Sequence, residues 1–190
     1  MTQLLDPEPA IGLVQAADAP LLARPYFADG TPSPITRSLA QVPELLDVTL
    51  PFIGAALGAS ALDERTKEIV ILRASAVMEC RYCVATHTVV ALDCGLTAQE
   101  VAALRGNGAP QGFADGRERA LIAWTEAVAA GRGSVEDACL DALREHFDEP
   151  AVVELTLVAA TTLMLNRYAS ALRLPAAQAT LARLREEGLA

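Results

Sequence analysis

The chain has 190 residues, of which 15 are lysine or arginine and 24 are aspartate or glutamate, so its formal net charge is −9. This length favours a single domain, and a hydrophobic fraction of 52% excludes a disordered chain. The acidic balance argues against nucleic acid or an anionic membrane as a partner, because both bind a positive face. The sequence shows neither a membrane-spanning run nor a secretory signal. We therefore expect a cytoplasmic protein.

The first 34 residues of the chain contain six prolines, namely Pro7, Pro9, Pro20, Pro25, Pro32 and Pro34. Because proline fixes its own φ and disfavours helix in the residue before it, we expect an irregular arm that packs over the body, with a short helical turn near residues 11–16. The predicted organisation is an N-terminal arm, residues 1–34, followed by a single helical domain, residues 35–190.

Helix-forming residues dominate after the arm. Ala and Leu are frequent, and the β-branched residues never alternate strictly with polar ones as they do in a half-buried strand. The pattern predicts helices at residues 35–41, 43–57, 63–78, 81–94, 98–104, 115–130, 135–146, 150–172 and 175–187. We therefore expect an all-α fold, a helical bundle with the irregular arm attached.

Several helix ends carry explicit signals. Residues suited to cap helix N-termini are Asp63, Thr97 with Glu100, Ser134 with Asp137, and Asp148. Gly95 and Gly131 stand where a left-handed residue would end a helix. The glycine-rich stretch at residues 106–116 predicts a loop.

Two cysteines and a histidine are spaced at helical intervals. Cys80 and Cys83 are three residues apart, and His87 follows Cys83 by four. On a helix these side chains share one face, and a helix N-terminus favours thiolates. The segment therefore predicts an activated dithiol with an acid–base group one turn away. Glu68 lies on the preceding helix, where an antiparallel return would bring its carboxylate to His87 or to a bridging water.

A lone pair of cysteines has three interpretations: half of a zinc site, a redox dithiol, or two inert buried residues. A closed structural zinc site takes four protein ligands, and the remaining candidates, Cys94, Cys139 and His146, form no second paired motif. We favour the redox dithiol, because a pair of cysteines alone does not require a histidine at this spacing. Neither a metal nor a cofactor is predicted.

This segment resembles the carboxymuconolactone decarboxylase-like superfamily, specifically its AhpD-like (alkylhydroperoxidase) redox branch with paired cysteines. The resemblance rests on Glu68, eleven intervening residues and then Cys80-x-x-Cys83-x-x-x-His87, and on the flanking stretches 64–73, 96–104 and 164–175. It implies an all-helical fold that assembles into oligomers, often trimers or hexamers. It also implies that Glu68, Cys80, Cys83 and His87 form a proton-relay and dithiol centre.

Tyr82 marks a departure from part of this superfamily. AhpD proteins that reduce peroxiredoxins carry a second histidine between the cysteines, where this chain has Tyr82. A phenol with a pKa near ~10 does not shuttle protons at neutral pH as imidazole does. We therefore assign Tyr82 an accessory role, either as a hydrogen-bond donor or in packing. Dithiol chemistry is predicted, whereas coupling to a peroxiredoxin and a lipoyl protein is not.

The leading hypothesis is a thiol-dependent oxidoreductase of the peroxidase type, acting on a small hydroperoxide or disulfide. His87, assisted by Glu68, would take the proton of Cys83, whose thiolate would attack, and Cys80 would resolve the sulfenic acid. The order stays open because Cys80 is closer to the helix start. An external dithiol reductant would reset the pair.

Two alternatives belong to other classes of protein. One is a carboxymuconolactone decarboxylase-like lyase or isomerase, in which Glu68 and His87 act as the acid–base pair and the cysteines are incidental. The other is a non-catalytic helical module whose oligomer is its function.

The long penultimate helix bears on assembly. It is apolar nearly all round over residues 152–165, and a helix without a polar stripe must be buried on more than one side. With the resemblance, this predicts a homo-oligomer, more specifically a trimer or hexamer. We expect the N-terminal arm to contribute contacts and the dithiol to lie near a seam between subunits.

Overall fold

The computed structural model describes residues 8–106, 112–131 and 133–189. Across these ranges the regular elements are all helical, without a strand, which confirms the predicted all-α fold. The α-helices are α1 (Pro34–Leu39), α2 (Pro43–Leu57), α3 (Glu64–Val77), α4 (Arg81–Asp93), α5 (Ala98–Arg105), α6 (Gly116–Ala130), α7 (Asp137–Arg144), α8 (Glu149–Leu172) and α9 (Gln178–Glu186). In the described part of the chain, none of them is long and apolar enough to cross a membrane.

Helix α3 lies at the centre of the bundle. It packs against α4, α5, α6 and α8, and every residue from 66 to 75 is buried. Its Ile69 and Leu72 belong to the main hydrophobic core, together with Leu121 of α6 and Leu155 of α8. Each such side chain contributes roughly 1.5–3 kcal/mol by leaving water. A helix surrounded in this way provides a rigid base for any polar group that it carries.

Two buried cations of α3 are satisfied by the ends of neighbouring helices. The Lys67 ammonium lies 2.8 Å from the Glu154 carboxylate and donates to the Gly58 carbonyl at 2.6 Å. The Arg73 guanidinium donates to the Gly106 carbonyl at 2.7 Å. The last carbonyls of a helix have no intrahelical partner. These two cations therefore stabilise the C-terminal ends of α2 and α5.

Most of the predicted caps are confirmed. The Asp63 carboxylate accepts from the Thr66 backbone N–H at 2.7 Å, and Gly95 follows α4 with a φ of +87°. Thr97 and Glu100 form the reciprocal capping box at α5. The Asp148 side chain likewise caps α8. Of the predicted loop at residues 106–116, residues 107–111 lie outside the described residues.

Three predicted boundaries are wrong. Ser134 does not cap α7, because the chain is still extended at Glu136 and the first helical turn forms later. Gly131, the residue that follows α6, is not left-handed as predicted. It has φ −69° and ψ 151°, an extended conformation that any residue adopts. The last helix begins at Gln178 instead of residue 175, because α8 ends in a left-handed Arg173 and the following chain runs extended.

The described part of the arm crosses the ends of α1 and α8. The Ala10 backbone N–H donates to the Leu172 carbonyl at 2.9 Å, and the Arg37 guanidinium donates to the Val14 carbonyl at 3.0 Å. The turn expected near residues 11–16 is displaced, because residues 10–14 form these hydrogen bonds instead. Short 3-10 helices follow at Ala16–Asp18 and Leu21–Phe27.

Candidate active site

A three-residue connection joins α3 to α4. Helix α3 ends at Val77, and Cys80 is the N-cap residue of α4. Between them Glu79 has a φ of +53°, a left-handed conformation that is uncommon for a residue other than glycine. This tight turn reverses the chain, so that α4 returns along α3 in the antiparallel direction. Side chains before the turn therefore meet side chains after it.

The Cys80 sulfur caps the N-terminus of α4. It accepts a hydrogen bond from the Cys83 backbone N–H at 3.3 Å, in a position usually filled by a serine, threonine, aspartate or asparagine oxygen. The side chain is buried, yet it forms part of the wall of a cavity of about 200 Å³. Ser170 and Arg173, at the end of α8, lie in the same wall.

The two thiols have opposite pKa shifts. Against the effect of burial, a hydrogen bond from the Cys83 thiol lowers the pKa of Cys80 to about 7, with further contributions from the Cys83 backbone N–H and the Ser170 hydroxyl. The same thiol–thiolate contact, burial and the negative charge on Cys80 raise the pKa of Cys83 well above its usual range. The thiolate therefore belongs on Cys80 and the proton on Cys83.

Glu68 and His87 form a direct pair between α3 and α4. The Nδ1 atom of His87 lies 3.0 Å from Oε2 and 3.3 Å from Oε1 of Glu68. An ionised carboxylate only accepts, so Nδ1–H is the donor and Nε2 is left as the basic nitrogen. Among the described residues no hydrogen bond joins the His87 ring to either sulfur. Proton transfer between them therefore needs a bridging water or a side-chain movement.

Tyr82 packs beside the dithiol. It is buried and belongs to a small apolar cluster with Cys80, Cys83 and Leu174. Burial raises the pKa of Tyr82 to about 12. The phenol therefore stays protonated at neutral pH and does not act as a base. It also lies in the wall of the cavity at Cys80.

The structure brings the four predicted residues together on the helical hairpin formed by α3 and α4. Two further groups, Ser170 and Arg173, come from the end of α8. Glu68, Cys80, Cys83 and His87 all lie on α3, α4 or the turn between them. Ser170 and Arg173 were not singled out from the sequence, because nothing local to them indicates chemistry. They fall within residues 164–175, one of the stretches that carry the family resemblance.

The remaining cysteines lie apart from the dithiol. All four cysteines are free thiols, and Cys94 and Cys139 are only half-buried. The Cys94 sulfur lies 3.8 Å from a Glu64 carboxylate oxygen, and burial, followed by nearby carboxylates, raises the pKa of Cys94. Within the ranges that the structure describes, no cluster of three histidine, cysteine or carboxylate side chains is arranged to hold a metal ion.

Comparison with known proteins confirms the predicted resemblance. The family model of the carboxymuconolactone decarboxylase family matches residues 43–127, the part of the chain that carries all four predicted site residues. No curated protein sequence matches this chain significantly.

Solved structures share the fold. An AhpD-core, uncharacterised peroxidase-related protein from Ralstonia eutropha JMP134 is 20% identical with a TM-score of 0.80, and the match covers 92% of this chain and 95% of that one. A peroxidase-related protein from Silicibacter sp. TM1040 is 23% identical with a TM-score of 0.80, covering 95% and 97%. The debrominase Bmp8, as a variant in complex with 2,3,4-tribromopyrrole, is 19% identical with a TM-score of 0.76, covering 92% and 95%. Identities this low show a common fold and no more.

Proposed function

We propose that this protein, whose fold is that of the AhpD-like, carboxymuconolactone decarboxylase-like proteins, is a thiol-dependent oxidoreductase of the alkylhydroperoxidase type. Its substrate would be a small hydroperoxide or disulfide. The observation that carries the proposal is the hydrogen-bonded arrangement of Cys80 and Cys83, in which the sulfur of Cys80 accepts from Cys83 and its pKa is lowered to about 7. A buried thiolate beside a protonated thiol is the reactant pair that a two-step peroxidase needs.

In the first step the Cys80 thiolate attacks the terminal oxygen of the hydroperoxide. The O–O bond breaks, the sulfur becomes a sulfenic acid, and the substrate leaves as an alcohol after taking up a proton. This assigns the attack to Cys80, whereas the spacing of the residues favoured Cys83. The lower pKa of Cys80 and its place in the cavity wall support the reversed order.

In the second step the Cys83 sulfur attacks the Cys80 sulfenic acid. The Cys83 thiol loses its proton, the S–S bond forms, and the sulfenic oxygen leaves as water. His87 follows Cys83 by one helical turn, and its Nδ1–H is held by Glu68, so Nε2 is available to accept the thiol proton through water. Glu68 acts by holding the imidazole in that tautomer.

The cycle closes by thiol–disulfide exchange. An external dithiol attacks the Cys80–Cys83 disulfide, is itself oxidised, and returns both sulfurs to the reduced state. We place this reaction in the cytoplasm, because the reductants that keep thiols free are found there.

A thiol count with and without one equivalent of hydroperoxide tests the proposal. The denatured protein should show four reactive thiols before treatment and two afterwards, and peptide mass spectrometry should locate the new bridge between Cys80 and Cys83. Four thiols remaining after treatment would contradict the proposal and leave two interpretations, the lyase or isomerase and the non-catalytic module. The double variant of Cys94 and Cys139 to serine is the control, and it should lose two thiols in the same way.

One observation supports a second candidate function. Glu68 also lies in the wall of a separate cavity of about 340 Å³, with Lys67 and Cys94, away from the cavity at Cys80. A carboxylate that lines its own cavity and is hydrogen-bonded to an imidazole suits a lyase or isomerase of the carboxymuconolactone decarboxylase type. Full turnover of such a substrate by the double variant Cys80→Ser, Cys83→Ser would favour this candidate.

We also propose that the protein is a homo-oligomer, a trimer or hexamer as the resemblance implies. Helices α2 and α8 pack against each other, and exposed apolar side chains stand along both. They are Leu45, Val48, Phe52, Val153, Leu157 and Met164; we call this set the α2–α8 patch. A second copy of the chain would bury it, because contiguous exposed apolar surface marks an interface. In the arm, Leu21 and Leu22 are exposed as well and would add contacts.

A further inference from the structure

A larger cavity adjoins the one at Cys80. It has a volume of about 580 Å³ and lies between α4 and α9, and the two cavities share Glu79, Arg81, Tyr82 and Leu174 in their walls. Much of its lining is apolar, including Val84, Leu181, Leu184 and Leu189. This volume is typical of sites for small organic molecules. A ligand in the larger cavity therefore has a path to the dithiol.

Arginines surround both cavities. Arg81, Arg105 and Arg185 line the larger one and Arg173 the smaller, while Glu79 is the one carboxylate that the described walls contain. The chain as a whole carries a net charge of −9, so this concentration of positive charge is local to the cavities. A cleft lined by one sign of charge attracts ligands of the opposite sign.

These cations also lack protein partners of opposite charge. In the part of the chain that the structure describes, Arg81, Arg173 and Arg185 form no ion pair, whereas Arg183 of α9 pairs with both Asp93 and Glu187. Arg105 donates to the Leu189 carbonyl at 2.7 Å and has no carboxylate partner there either. Unpaired guanidinium groups around an apolar space favour a ligand that brings its own negative charge.

We propose that the substrate is an apolar molecule with a single carboxylate, namely the hydroperoxide of a carboxylic acid. The hydrocarbon part would occupy the larger cavity, the carboxylate would face Arg105 and Arg185, and the hydroperoxide would reach Cys80 past Tyr82. The product is the hydroxy acid, and the second oxygen leaves as water when the disulfide forms. This inference rests on the proposed function and specifies its substrate class.

Binding of unreactive probes tests the charge preference without any turnover. Titration calorimetry should show octanoate binding at least tenfold more tightly than 1-octanol. The variant Arg185→Gln should weaken octanoate binding about three- to tenfold and leave 1-octanol unchanged, as expected for loss of one partly exposed ion pair. Arg185→Lys should retain the preference, and Arg183→Gln is the control on the same helix. Equal binding of the two probes, or an unchanged octanoate affinity in Arg185→Gln, would overturn the inference.

Turnover then separates this inference from the proposed function. The wild type should reduce 8-hydroperoxyoctanoate with a kcat/KM at least tenfold above that of its methyl ester. Arg185→Gln should lower this acid-to-ester ratio of kcat/KM, because it raises the KM for the acid. Equal reduction of acid and ester would leave the peroxidase function standing and overturn the carboxylate preference. Selective octanoate binding without reduction of either peroxide would overturn the peroxidase function and leave the ligand class standing.

Discussion

The backbone N–H of Cys83 donates to the sulfur of Cys80 across 3.3 Å, so the first turn of α4 holds both cysteines in one hydrogen-bonded loop. The N-cap residue of a helix is the one whose side chain satisfies an otherwise unpaired N–H. Here that side chain is a thiol, and the N–H stabilises it most when it is ionised. Helix capping and thiolate stabilisation are therefore the same interaction in this protein.

The first prediction concerns the pH dependence of this thiolate. Below a pH of about 7 the Cys80 sulfur is protonated, and above it the thiolate predominates. The rate at which iodoacetamide modifies Cys80 should therefore rise with pH through a midpoint of about 7. Cys83→Ala should move this midpoint upward, towards the ordinary value near ~8.5, because the donating thiol is lost. Cys83→Ser should move it less, since a hydroxyl still donates.

Peptide mass spectrometry identifies which cysteine is modified in that experiment. Cys94 and Cys139 serve as internal references, because burial raises the pKa of both thiols. A wild-type midpoint for Cys80 no lower than theirs would contradict the assignment of the thiolate.

The second prediction separates the attacking cysteine from the resolving one. Cys83→Ser should consume one equivalent of hydroperoxide and stop at a Cys80 sulfenic acid, which dimedone traps as a stable adduct. Cys80→Ser should consume none, because the attacking sulfur is lost and the buried Cys83 does not line the cavity at Cys80. The opposite pattern, with the adduct on Cys83, would restore the order that the sequence favoured.

The third prediction concerns the pair of Glu68 and His87. Glu68→Gln keeps a hydrogen-bond acceptor for Nδ1–H but removes the negative charge that stabilises a protonated imidazole. Positioned acid–base groups contribute typically ~10²–10⁴-fold, so kcat should fall about a hundredfold or more, with little change in the rate of the first attack by Cys80. Stopped-flow measurement of that attack and steady-state turnover distinguish the two steps.

Three further variants test this pair, and one of them is a control. Glu64→Gln changes a carboxylate that lines the same cavity one turn earlier on α3, and it should retain near wild-type turnover. His87→Gln should resemble Glu68→Gln, and the double variant should be hardly worse than either single one, because groups that act as a unit are not additive. If the fold-loss of kcat in the double variant equalled the product of the two single fold-losses, the two residues would be acting separately.

The fourth prediction tests the buried lysine. Lys67→Met fills similar space but leaves the carbonyl of Gly58 without its donor and Glu154 without its ion-pair partner. The free energy of unfolding should fall by about 1–3 kcal/mol. Urea unfolding at fixed protein concentration, followed by the fluorescence of the buried Trp124, measures it. The exposed pairs of Arg183 provide the comparison: Arg183→Gln should change stability by no more than about 1 kcal/mol.

The fifth prediction concerns assembly through the α2–α8 patch. Val48 and Val153 are 63% and 68% exposed, so Val48→Asp or Val153→Asp places a charge on the patch without entering the core. Light scattering at micromolar concentration should give a multiple of 20.0 kDa for the wild type and a smaller assembly for either variant. Ala182→Asp, at an exposed position on α9, should leave the mass unchanged. A wild-type mass of 20.0 kDa would contradict the oligomer.

The sequence predicts helix ends well where a side chain makes the cap, and poorly where the path of the backbone decides. Asp63 and Thr97 carry their own hydrogen-bond acceptors, so local sequence is sufficient to place α3 and α5. The start of α9 depends instead on the left-handed ending of α8 at Arg173. A non-glycine residue in that conformation is held there by its surroundings, which local sequence does not encode.

The same distinction applies to the site. Spacing alone brings Cys80, Cys83 and His87 to one helix, and a tight turn after α3 is sufficient to place Glu68 beside His87. The difference between the two thiols depends mainly on the N-cap position of Cys80, where the Cys83 thiol and backbone N–H both donate to its sulfur. Burial raises the pKa of both thiols, and Ser170, which comes from a distant part of the chain, adds a smaller contribution that spacing does not show.

Because the turn at Glu79 is tight, the groups of the site all lie on the one continuous segment that runs from α3 through the turn into α4. That segment includes α3, the most deeply buried helix of the bundle. Local opening of a protein costs most where burial is greatest, so amide protons of the central turns of α3 should exchange with solvent only on global unfolding. Amides of α9, which forms the outer wall of the larger cavity, should exchange sooner. Ligand entry would then proceed by opening of α9, while the dithiol stays anchored to the slowest-exchanging unit of the protein.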